Sequence, residues 1–128
     1  MVVLDESPEW GLVAPADIQR AFLTALDASP QWIVVIHRDG TLAYANPAMA
    51  DAFGYSPEEM LCHKDFSTLL MHPSQHRVTE LWSQVQEHGS CKWESDLRHR
   101  NGSRLNCHFA GSRCELWGTT TILCFVRQ

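Results

Sequence analysis

The groups best equipped for chemistry in this 128-residue chain are its thiols and imidazoles, five Cys and seven His. Their closest groupings are Cys62-His63, Cys107-His108 and the isolated Cys91. A structural zinc site takes four ligands at spacings such as C-x-x-C or H-x-x-x-H, and none of these three groupings has either spacing. Adjacent residues on a strand also face opposite ways. No metal site is expected. Cys62 with its neighbouring His63 invites a nucleophilic reading, but a thiolate nucleophile needs a positioned base and an oxyanion site. No signature of either surrounds it. Glu58 and Glu59 form a carboxylate pair, yet they follow Ser56-Pro57 at a helix start, where the helix dipole stabilises negative charge. The chain is expected to be non-catalytic.

The elements that must position these residues can be read from periodicity. Residues 1–14 show no period and form a leader. Ile18, Ala21, Phe22, Ala25 and Leu26 then make one stripe of an amphipathic helix within residues 15–29. Ser29-Pro30 ends it. Trp32-Ile33-Val34-Val35-Ile36-His37 is a strand apolar on both faces, and Asp39-Gly40 turns the chain into a second strand, Thr41-Leu42-Ala43-Tyr44-Ala45. Asn46-Pro47 starts a short helix that stops at Gly54, and Ser56-Pro57 with Glu59 starts another through a capping box. A longer helix over about residues 73–88 carries Val78, Leu81, Trp82 and Val85, with Gly89 as its stop.

Three strands close the chain. Trp93, Ser95 and Leu97 alternate with Glu94, Asp96 and Arg98, Leu105, Cys107 and Phe109 alternate with Asn106 and His108, and Thr121–Val126 is apolar on both faces. A two-residue Asn101-Gly102 turn would set Phe109 beside Glu94. A three-residue Arg100-Asn101-Gly102 loop pairs Trp93 with Phe109 and Leu97 with Leu105, and it alone keeps the apolar set on one face. Gly102 is then left-handed. The fold class is α+β, with the doubly apolar first and last strands central in an antiparallel sheet. Helices cover one face, and the N-terminal helix or a partner covers the other.

Composition narrows the function classes. At 45% hydrophobic and 20% charged, the chain is globular and long enough for one domain. Its net charge of -5 disfavours a nucleic-acid backbone as partner. No run of 18 apolar residues is present, so membrane insertion is not expected, and the N-terminus lacks the basic and apolar regions of a secretory signal. Five scattered cysteines read as reduced thiols of a cytoplasmic protein.

The stretch DASPQWIVVIHRDGTLAYANPAMADAFGYSPEEML resembles the opening of a PAS domain, LLMHPSQHRV its His-Pro start of the long helix, and GSCKWESDLRHRNGS the segment before its hairpin. The resemblance covers about residues 22–127, and the domain itself is read over residues 30–128. It implies a five-stranded antiparallel sheet in the order 2-1-5-4-3, with helices on one face and an N-terminal helix. It also implies a sensory, ligand-binding or dimerisation module attached to an output domain such as a histidine kinase, a cyclic-dinucleotide enzyme or a transcription regulator. Photosensing members carry a flavin-reactive Cys where this sequence has Asp65, and the haem-ligand position falls on Val78 rather than His76. No cofactor is therefore expected, with FAD or haem as the alternative; Trp82 and Trp93 are the residues that favour flavin. Candidate pocket residues are Tyr44, Phe66, Leu70, Val78, Leu81, Trp82, Trp93, Phe109 and Cys124. These side chains serve equally as filling for a close-packed core. The candidate interface of a homodimer is Ile18, Phe22, Ala25 and Leu26, because one helix covers only part of an apolar five-stranded face.

Overall fold

The computed structural model describes residues 15–61 and 75–128. Its elements run α1 (Pro15–Ala28), β1 (Trp32–Ile36), β2 (Leu42–Ala45), α2 (Pro47–Ala52), α3 (Pro57–Leu61), α4 (Gln75–His88), β3 (Ser90–Arg98), β4 (Arg104–Leu116) and β5 (Thr119–Arg127). The five strands form one antiparallel sheet in the order β2-β1-β5-β4-β3. Ile33, Val34, Val35 and Ile36 are all buried, as a strand covered on both faces requires.

The two faces have separate cores. On the inner face, Val34, Ile36, Ile122, Cys124 and Val126 pack with Met49 of α2, Phe53 at its C-cap, Met60 of α3, and Leu81, Trp82 and Val85 of α4. On the outer face, Ile33, Val35, Leu116 and Leu123 pack against Leu26 of α1.

Local punctuation works as read. Asn46 Oδ1 accepts from the Met49 amide to cap α2. Ser56 and Glu59 exchange side chain-to-backbone bonds at 3.0 and 3.1 Å, the capping box of α3. The β3–β4 register sets Trp93 opposite Phe109 and Leu97 opposite Leu105. Its loop is closed by the His99 amide donating to the Ser103 carbonyl, with Gly102 at φ +90°. Two features depart from the sequence reading. The Asp39-Gly40 turn belongs to a three-residue loop, since the His37 amide donates to the Thr41 carbonyl. β4 also continues past Phe109 to Leu116, and a Trp117-Gly118 turn joins it to β5.

Candidate functional site

Five of the candidate pocket residues converge. Leu81, Trp82, Phe109 and Cys124 are buried in the inner core, with Trp93 packed against it. Trp93 and Phe109, brought opposite by the register, stack with ring centroids 4.4 Å apart and planes 4° from parallel. The indole N–H of Trp82 is buried without a hydrogen-bond partner among the described residues. The Arg38 guanidinium lies 5.4 Å from the centroid of the Trp82 ring. Phe66, Leu70 and the side chain of Val78 lie outside the described residues.

Tyr44 does not belong to this group. Strict alternation from buried Leu42 would turn Tyr44 inward, but a bulge falls between the pairs Val35–Tyr44 and Ile36–Leu42. The extra residue reverses the facing of everything after it. Tyr44 therefore packs on the outer face, where its hydroxyl donates to Asp27 of α1. Burial, reinforced by that carboxylate, raises the Tyr44 hydroxyl above the ordinary tyrosine range.

The stripe of α1 is divided as well. Leu26 is buried on the molecule's own sheet, and Leu23 packs beside it. Leu26 is thus removed from the candidate dimer interface, because a helix docked on a sheet must turn one face to it. Ile18, Phe22 and Ala25 stay exposed, Ile18 at 48% and Phe22 at 38%. Asn46 fastens the end of α1 to the sheet. Its side chain donates to the carbonyls of Leu26, Ser29 and Gln31, and accepts from the amides of Ile33 and Met49. An open groove of about 800 Å³ lies where β1 begins, lined among others by Gln31, Lys92, His108, Phe125 and Arg127. Lys92, Ala110, Phe125 and Ile33 occupy one cross-strand row, so they share the outer face with α1.

A family profile for the PAS fold matches residues 26–109. The chain belongs to the PAS fold family. Solved PAS domains share its architecture at low identity. That of an HTR-like protein from Haloarcula marismortui is 21% identical with a TM-score of 0.70, covering 88% of this chain and 97% of that one. A domain of a sensory box sensor histidine kinase/response regulator from Geobacter sulfurreducens is 20% identical with a TM-score of 0.63, covering 90% and 97%. The PAS domain of a LuxR-family transcriptional regulator from Burkholderia thailandensis, solved in complex with ethanol, is 18% identical with a TM-score of 0.67, covering 81% and 94%. No curated protein matches the chain.

Within this PAS fold the thiols among the described residues are poor nucleophiles. Burial raises Cys91, Cys114 and Cys124, and pushes Cys107 up to about 11. The thiolate needed for attack is scarce at such values. Glu59 is held below the usual carboxylate range, first by the Ser56 amide and then by Arg100, whose guanidinium lies 2.6 Å away. It is a joint between α3 and the β3–β4 loop. Among the described residues no three or more His, Cys, Asp or Glu converge as metal ligands. No helix there is long and apolar enough to cross a membrane. Sequence reasoning named Trp93 and Phe109 of the groove lining but missed its other residues and the hub role of Asn46. Asn46 was legible as a cap, but its three carbonyl partners are brought to it only by the packing of α1.

Proposed function

We propose that this PAS chain is a non-catalytic, cytoplasmic sensory module that pairs with a second copy and relays the state of its core to an attached output domain. Histidine kinases, cyclic-dinucleotide enzymes and transcription regulators are the output classes in view. The observation that carries the reading is the double contact of α1. Leu23 and Leu26 dock it on the outer sheet, while Ile18, Phe22 and Ala25 present an apolar stripe away from it. A helix in that position is tied to the sheet through Asn46 and Asp27, and a twofold mate covers its free stripe. Changes in the inner core reach β1 directly, because alternate β1 residues face the two cores.

The inner cluster is where a small ligand would act. The unpartnered Trp82 N–H favours one that offers a hydrogen-bond acceptor, since an unpaired buried donor is costly. The ethanol complex of the Burkholderia thailandensis domain supports a ligand of small size. Asp65 and Val78 at the adduct and haem-ligand positions favour a colourless protein over a flavin or haem sensor. Absorption spectroscopy and native mass spectrometry of the purified protein test this. The expected result is no visible band, with any added mass small and dependent on Trp82. A flavin spectrum, or a Soret band after expression with ample haem, overturns the colourless reading.

A further inference from the structure

Two buried thiols meet over a glycine in the inner core. Cys91 of β3, Gly111 of β4 and Cys124 of β5 form one cross-strand row. A Cβ at Gly111 would lie 2.9 Å from Cys91 Sγ and 3.3 Å from Cys124 Sγ. The sum of those two distances is the most that can separate the sulfurs. Cys91 is 4% exposed, Cys124 is fully buried, and both are free thiols. The two cysteines stand two strands apart, roughly 9–10 Å between backbones at the usual sheet spacing. A disulfide bridges Cα atoms only up to about 6.8 Å apart, so direct oxidation of this pair is excluded without moving the sheet.

A longer bridge fits. A disulfide sets its sulfurs about 2.05 Å apart. A linear sulfur–metal–sulfur unit spans roughly 4.6 Å, taking the zinc–sulfur bond as a guide to length. The difference of about 2.5 Å brings the reach to the two-strand separation. Charge selects the ion. An apolar core tolerates no net charge cheaply, and two thiolates are neutralised by one divalent ion. Zinc is divalent but takes four ligands, which this row lacks. Soft ions prefer thiolate, and those satisfied by two ligands need nothing more than this pair.

We infer that Cys91 and Cys124, which flank Gly111 with Ile122 Cγ2 packed beside it, form a two-coordinate site for a soft divalent d10 cation of the mercuric kind. On binding, each thiol releases its proton to solvent and forms one sulfur–metal bond, so one ion enters, two protons leave and the core stays neutral. Entry is at the sheet edge, because β3 is an outer strand and Cys91 is its second residue.

The probe is mercuric chloride added at less than one equivalent to the full chain, followed by denaturation, alkylation of free thiols and mapping by mass spectrometry. The expected result is joint protection of Cys91 and Cys124. Protection of Cys62, Cys107 or Cys114 instead, or of Cys91 without Cys124, overturns the site. A Cys62→Ala/Cys107→Ala/Cys114→Ala variant that retains the native circular dichroism should release two protons per ion in weak buffer. Adding Cys124→Ala should reduce that to one. Two protons from the latter variant also refute the pair, and the mapping on unaltered protein holds whether or not the variants fold.

Discussion

Asn46 concentrates more of the fold in one side chain than any apolar residue does. Its Oδ1 caps α2 and takes the Ile33 amide, while its Nδ2 serves three carbonyls at the end of α1. Asn46→Ala should cost roughly 2–4 kcal/mol, combining a lost cap with buried groups left unpaired; urea denaturation measures it. Asn46→Asp keeps the acceptors but sets a carboxylate against those carbonyls. That variant should gain stability as pH falls and the carboxyl protonates, a trend opposite to acid denaturation. Trp93→Ala should cost about 3 kcal/mol, the low end for a large-to-small aromatic change, because Trp93 is only partly buried against Phe109. Full retention of stability would show that the stack contributes nothing.

At the scale of elements, the Tyr44–Asp27 contact holds α1 on the edge strand β2. The Tyr44 hydroxyl is raised in the folded protein, so its neutral form is the stabilised one. Its contribution is fully present below the ordinary tyrosine value of 10.0 and is lost as pH rises through the higher folded value. The chain has two tyrosines, so a Tyr55→Phe variant isolates Tyr44 for ultraviolet titration. Its phenolate should appear well above pH 10, and a midpoint at 10 would show α1 undocked. The strands themselves were legible because period-two alternation and Gly102 fix register locally. The β2 bulge was not, because Thr41–Ala45 reads as ordinary alternation, and only pairing with Val35 and Ile36 reveals the extra residue.

For the whole molecule, the open question is what covers the free side of α1. Ile18 and Phe22 are exposed there, and Phe125 on the outer sheet is 45% exposed. Phe22→Glu should convert a dimer to a monomer in light scattering while leaving circular dichroism unchanged, since Phe22 is not part of either core. A monomer at high micromolar concentration for the unaltered chain would refute the pairing, leaving Leu23 and Leu26 as the whole purpose of the stripe.

The sequence by itself determined the elements, their order and the central place of the first and last strands, because apolar runs, caps and turn residues act over a few neighbours. It also determined the Trp93–Phe109 pairing, since one loop length alone keeps both rings on the same face. Only the tertiary structure decided which way Tyr44 faces, which half of the α1 stripe is buried, and that Cys91 and Cys124 meet over Gly111. Each of those depends on a strand or helix distant in the chain, and neither local propensity nor periodicity carries information about what lies across the sheet.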